Sequence, residues 1–64
     1  MLLTATEFLQ RWHQERGPLP RSTLYHWLRQ GWLPSERVLV PLKGGLYRNE
    51  YRIDERYIQE FETP

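Results

Sequence analysis

The chain of 64 residues has no cysteine, no long apolar run and a net charge of only +1. Without cysteine it forms neither a disulfide nor a thiolate metal site, which agrees with a reducing cytoplasm. No apolar run approaches the roughly 20 residues that span a bilayer, so we expect no membrane partner. The N-terminal stretch also lacks the basic start and small-residue cleavage site of a signal peptide. We therefore expect a cytoplasmic protein.

Aromatic side chains are abundant, with three Trp, four Tyr and two Phe. A domain of this length buries only about 60% of the surface of its unfolded chain, so large side chains help a minimal core to reach sufficient burial. We expect one small α+β domain, mostly α, over residues 1–64. Trp12 and Trp27 are predicted to lie in its core.

The charge is unevenly distributed along the chain. Residues 11–52 hold eight basic and three acidic groups, whereas residues 53–64 hold one basic and four acidic groups. Such a dipolar layout can orient a protein on a polyanion. A solvated surface of mixed sign explains the charge equally well, so charge alone identifies no partner.

The first helix is predicted over residues 4–16. Thr4 and Glu7 match a capping box, in which each side chain accepts a hydrogen bond from the backbone of the other. Apolar residues then repeat at helical spacing and define a buried face. We expect Gly17 to end the helix as a left-handed C′ residue, while Pro18 blocks its continuation. A connector this short predicts a helix-turn-helix.

The second helix is predicted over residues 20–30 and ends at Gly31. Its apolar stripe consists of Leu24, Trp27 and Leu28. The opposite stripe, at i, i+3, i+4 and i+7, consists of Ser22, Tyr25, His26 and Arg29. This outward stripe carries no acid, and Arg21 stands beside it at the helix start. Duplex DNA is the best candidate partner, because its base edges and phosphates present acceptors to these donors.

A hairpin is predicted over residues 37–53, with Gly44-Gly45 as a two-residue tip because a primed turn needs positive φ. In that register Val38 pairs with Tyr51. Two cations near the tip are candidates for binding, although charges on an exposed strand also discourage aggregation. They are Lys43 and Arg48.

Two further segments complete the predicted order of helix, helix, hairpin and helix. Leu2 and Leu3 are expected to dock as a short extended piece. Asp54 is a good N-cap for a last helix over residues 54–62. A lone hairpin is marginally stable in water, so it must pack on the helices.

The order of these motifs resembles the winged-helix domain of the phage excisionase and MerR-like superfamily. The resemblance covers nearly the whole chain. It is carried by Leu3-Thr4, Glu7, Arg21-Ser22-Thr23-Leu24-Tyr25, Gly31-Trp32-Leu33-Pro34, the glycine-tipped wing and Tyr51-Arg52-Ile53. The chain departs from the family at Pro20, where a small polar cap is usual, and in its longer wing.

The resemblance implies that the second helix enters the major groove and the wing rests on the adjacent minor groove or backbone. The residues implied to face DNA are Ser22, Tyr25, His26 and Arg29, with Arg21 on phosphate, Lys43 and Arg48 on the wing, and Thr23 as a weaker candidate. The implied protein is a nucleoid-associated monomer without cofactor or metal. It binds repeated sites beside further copies of itself, bends DNA and favours excision by an integrase.

Alternatives remain at this point. One is a small MerR-like transcriptional regulator, although the long dimerisation helix of MerR activators is absent. Another is a protein-interaction module that uses Trp32, Leu46 and Tyr47. An enzyme is the least supported, because no local carboxylate orients His26 toward Ser22, and the histidines lack metal-ligand spacing. Tyr25 has the alternative interpretation of a ring packed on the wing.

Overall fold

Three helices and a three-stranded antiparallel sheet make up the fold. The computed structural model describes residues 1–64. In chain order the elements are β1 (Leu2–Thr4), α1 (Ala5–Arg16), α2 (Arg21–Gln30), β2 (Glu36–Pro41), a 3-10 turn (Lys43–Gly45), β3 (Tyr47–Asp54) and α3 (Tyr57–Glu60). The strand order is β1-β3-β2, which leaves β2 at one edge. The predicted α+β class is confirmed, and β1 extends the expected hairpin to a third strand.

The start of α1 follows the predicted capping box. Thr4 Oγ1 accepts from the Glu7 N–H at 3.2 Å, and a Glu7 carboxylate oxygen accepts from the Thr4 N–H at 3.0 Å. At the other end Gly17 has φ 98° and ψ −173°, a region that only glycine readily occupies. The expectation of a left-handed C′ residue is therefore wrong in detail, because the chain extends directly into Pro18.

A Schellman motif ends α2. Gly31 is left-handed, with φ 76° and ψ 13°. Its N–H donates to the Leu28 carbonyl, and the Trp32 N–H donates to the Trp27 carbonyl at 3.0 Å. At the other end Pro20 occupies the N-cap position without a side-chain cap. The Schellman motif at Gly31 folds Trp32 back along the last turn of α2.

The core is built around aromatic rings from both long helices. Thirteen residues are buried and all are apolar. The Trp12 ring lies 5.7 Å from Trp27, and Phe61 lies 5.0 Å from Trp27. The Arg16 guanidinium lies 4.1 Å from the Trp12 ring and donates to the Phe61 carbonyl at 2.6 Å. Both predicted core tryptophans are thus confirmed, and Phe61 connects the C-terminal segment to them.

The hairpin register differs by one residue from the predicted one. Val38 pairs with Glu50, and Tyr51 pairs with Arg37. The loop has three residues, so that Leu42 lies opposite Leu46, whose carbonyl accepts from the Leu42 N–H at 2.7 Å. Both loop glycines have positive φ, which a three-residue loop accommodates as readily as a two-residue one. The shift moves Val38 to the opposite sheet face from the one predicted.

The last helix is shorter than predicted. It covers only Tyr57–Glu60. Asp54 remains in β3, where it pairs with Leu2, so the helix cannot begin there. The Asp54 carboxylate instead accepts from the Arg56 N–H at 3.0 Å in the turn that precedes α3, and this bond lowers the pKa of Asp54.

Candidate nucleic-acid interface

Three of the predicted contact residues form an open front on α2. Ser22, His26 and Arg29 are all exposed, on the side of α2 that faces away from the core. None of their side chains makes a hydrogen bond or an ion pair within the chain. The donors of Ser22 and Arg29 therefore remain free for an external acceptor.

An exposed aromatic pair borders this front. Trp32 is 50% exposed, and its ring meets the His26 ring edge to face with centroids 5.2 Å apart. From the sequence, Trp32 was predicted as a contact residue only for a protein-interaction module. The signal that could have placed it is Gly31, because the residue after a left-handed C′ glycine commonly contacts the last helical turn. Trp32 therefore joins the candidate site as an apolar neighbour of His26.

Arg21 and Thr23, in the first turn of α2, are more engaged within the fold than predicted. Arg21 is exposed, but its Nη2 donates to Thr6 Oγ1 at 3.2 Å, which ties it to the start of α1. Thr23 is half-buried, as its place beside the apolar stripe suggested. Arg21 thus sits at the start of α2 with its charge uncompensated, while Thr23 contributes little accessible surface.

Tyr25 turns from the front toward the sheet. It is half-buried, and its ring meets the Tyr51 ring edge to face at 6.0 Å. Tyr51 in turn accepts a hydrogen bond from Arg37 Nη2 at 3.3 Å. The structure thus agrees with the alternative interpretation of Tyr25 as a ring packed on the wing, and this contact joins α2 to β3.

The two wing cations differ in their surroundings. Lys43 is exposed at the tip and has no acidic partner. Arg48 Nη2 lies 2.6 Å from a Glu50 carboxylate oxygen, and Arg52 Nη1 lies 3.0 Å from the other. Hydrogen bonds from Arg52, which has the larger effect, and from Arg48 lower the pKa of Glu50. Arg48 therefore carries a partly neutralised charge, whereas the charge of Lys43 is free.

A polar groove lies between the first turns of α2 and the middle of β3. Its volume is about 390 Å³. It is lined by Thr4, Ala5, Thr6, Arg21, Tyr25, Arg48, Asn49, Glu50 and Tyr51. The start of both long helices and the middle of β3 meet there. Arg21 and Arg48 therefore line one continuous surface.

Metal sites, nucleophile–base pairs and membrane spans each require a particular arrangement of residues. No group of three or more His, Cys, Asp or Glu side chains is arranged to hold a metal ion. No hydrogen bond joins Ser22 to His26. No helix has the length and apolar character required to cross a bilayer.

Comparison of the chain with protein-family models, with curated proteins and with solved structures gave no match. The resemblance to the excisionase and MerR-like superfamily therefore remains a prediction from the sequence motifs.

Proposed function

We propose that this protein is a sequence-specific DNA-binding factor of the excisionase type. In this proposal α2 enters the major groove, and the wing, defined as residues 36–54, lies on the adjacent minor groove or backbone. The factor supports excision by an integrase by shaping the DNA on which the integrase acts. It performs no chemistry itself.

One observation carries the proposal. The front of α2 combines Ser22, His26 and Arg29, which are exposed and make no hydrogen bond or ion pair within the chain, on the helix that packs through Tyr25 against β3. A guanidinium without an intramolecular acceptor suits a guanine edge or a phosphate. Base edges in the major groove specify sequence, while phosphate contacts from Arg21 and Lys43 set the position of the protein.

Fluorescence anisotropy with a labelled duplex tests this proposal. Neutralising three or four phosphates should reduce affinity on the order of 10²-fold between about 50 and 200 mM salt. Arg11→Ala is a charge-matched control, because Arg11 pairs with Glu55 away from the α2 front. It should bind like the wild type, whereas Arg29→Ala should bind less tightly. Affinity that is independent of salt contradicts the proposal.

The same surface also suits a small MerR-like transcriptional regulator. The two roles differ in what the bound protein recruits rather than in how it binds. An in vitro recombination reaction with an integrase and its attachment sites separates them. Stimulated excision supports the excisionase role, whereas DNA binding without stimulation, together with altered transcription from a bound promoter, supports the regulator.

A protein-interaction module is the second candidate, and exposed apolar side chains favour it. Trp32, Leu46 and Tyr47 are 50%, 65% and 63% exposed. Aromatic side chains, such as those of Trp32 and Tyr47, are enriched at the centres of protein interfaces. A protein partner held by apolar contacts would bind with little dependence on salt, so the same titration distinguishes this candidate from DNA binding.

A further inference from the structure

Large apolar side chains project from the distal half of the wing. Leu39, Leu42, Leu46 and Tyr47 are 66%, 42%, 65% and 63% exposed. They are four of the seven large hydrophobic residues that the fold leaves exposed. None of them belongs to the buried core or packs against it, and on β3 that contact with the core extends only as far as Tyr51. We call these four residues the wing tip.

The wing tip is apolar on both faces of the hairpin. Residues opposite one another in an antiparallel pair share a face, and successive residues along a strand alternate. Tyr47 lies opposite Pro41, and Leu46 lies opposite Leu42. Tyr47 and Leu39 therefore occupy one face, while Leu42 and Leu46 occupy the other. A flat partner would cover only one face, so burial of both requires a partner with two walls.

The same stretch carries positive charge only. No acidic residue occurs between Glu36 and Glu50, whereas Arg37, Lys43 and Arg48 are basic. The charge of Lys43 at the apex is unpaired. The wing tip is therefore complemented by a negatively charged partner that has a groove with two walls and an apolar interior.

We infer that the wing tip is a wedge that enters the minor groove of duplex DNA and kinks the duplex. The inference rests on the proposed function and identifies the residues that would deform the DNA. Minor-groove proteins insert apolar side chains between base steps, which unstacks the bases and bends the duplex toward the major groove. Leu46 and Tyr47, beside the apex, contact the base steps. Lys43, whose charge has no acidic partner in the chain, contacts the phosphates of the walls.

An anionic lipid surface also combines negative charge with an apolar interior, but the hairpin fits it less well. β2 is an edge strand. Its outward N–H and C=O groups would lose their hydrogen bonds to water in a hydrocarbon layer. The floor of the minor groove instead presents adenine N3 and thymine O2 as acceptors for the N–H groups and the guanine N2 amino group as a donor to the C=O groups. The outward N–H and C=O groups of β2 can therefore find hydrogen-bond partners in DNA but not in lipid.

Ligase-catalysed circularisation of a mixed-sequence fragment of about 100 bp tests the wedge. DNA shorter than its persistence length of about 150 bp rarely closes unless it is bent. The wild-type protein should raise the yield of circles about tenfold. The double variant Leu46→Thr/Tyr47→Thr, compared at equal occupancy, should lose most of this increase. Leu2→Thr removes an exposed leucine from β1 and should circularise DNA like the wild type.

Each outcome has a separate meaning. If the double variant binds DNA and circularises it as well as the wild type does, the wedge is wrong and the proposed function stands. If the wild type shows no salt-dependent binding to DNA, the proposed function itself is wrong. Cosedimentation with vesicles of anionic phospholipid that requires Leu46 and Tyr47, without circularisation, assigns the wing tip to a membrane surface and overturns the inference. Urea unfolding verifies that the double variant retains the fold.

Discussion

The ring of Tyr25 on α2 meets the ring of Tyr51 on β3 edge to face, with centroids 6.0 Å apart. The Arg37 guanidinium lies 5.4 Å from the Tyr51 ring and donates to its hydroxyl. These contacts connect α2 to both strands of the wing. The proposed interface requires α2 and the wing to reach one duplex together, so the packing of Tyr25 on Tyr51 would hold the two parts at the angle that this interface needs.

Loss of this contact should lower stability by a measurable coupling energy. We expect Tyr25→Leu and Tyr51→Leu each to reduce the free energy of unfolding, with a coupling of about 0.5–1.5 kcal/mol between them in a double-mutant cycle. Urea denaturation of the two single variants and the double variant measures it. Tyr47→Leu is the control, since Tyr47 is exposed and should show no coupling to Tyr25. Additive effects of the first pair would contradict the role of the contact.

The two long helices could be predicted because their signals are local. Thr4 and Glu7 lie three residues apart, and the buried stripes follow the helical period. The register of the hairpin could not be predicted, because two- and three-residue loops both accept Gly44 and Gly45 at positive φ. The late start of α3 was missed for a different reason. It depends on the pairing of Asp54 with Leu2, a contact between the two ends of the chain.

The candidate site was predicted to a similar extent. Helical spacing correctly placed Ser22, His26 and Arg29 on one exposed face. The same spacing placed Tyr25 beside them, but the periodicity of a helix cannot reveal that a strand packs over one edge of its outward stripe. Trp32 was not predicted as part of this site, because it lies beyond the end of the periodic pattern of α2.

Replacement of Arg29 should reduce sequence-specific binding. If the Arg29 guanidinium contacts a base edge, Arg29→Ala should weaken binding to the preferred site by about 1–3 kcal/mol and relax specificity at one position. Selection of preferred sites from a random duplex pool, followed by gel-shift titration, measures both effects. Unchanged affinity for the selected site would show that Arg29 reads no base.

Replacement of Lys43 should act on all sequences alike. The apex charge has no internal partner, so we expect it to contact phosphate. Lys43→Ala should weaken binding to every duplex and make the slope of log affinity against log salt shallower by about one unit. Arg56→Ala is the control, because Arg56 lies before α3 and bonds to the Tyr57 hydroxyl. A loss confined to certain sequences would exclude a phosphate contact.

The capping box should make stability dependent on pH. Hydrogen bonds from the Thr4 backbone N–H and hydroxyl hold the pKa of Glu7 below its usual value. A depressed pKa in the folded state means that the stabilisation is complete above the ordinary value of about 4.3 and is lost as the pH falls through the folded-state pKa. Thermal unfolding from pH 6 to about pH 2 should show a smaller decrease for Glu7→Gln than for the wild type. Glu62→Gln, in the exposed C-terminal tail, should leave the decrease unchanged.

Trp32 should report directly on occupancy of the α2 front. Trp12 and Trp27 are 4% and 7% exposed, so Trp32, at 50%, provides nearly all of the tryptophan surface that a neutral quencher can reach. Saturating duplex DNA should reduce the acrylamide quenching constant of the wild type, because the duplex would cover the Trp32–His26 pair. Trp32→Phe should show low quenching with or without DNA, since only the buried rings remain. If DNA binds while the quenching of Trp32 stays constant, the duplex lies elsewhere on the protein, and the α2 front is not the interface.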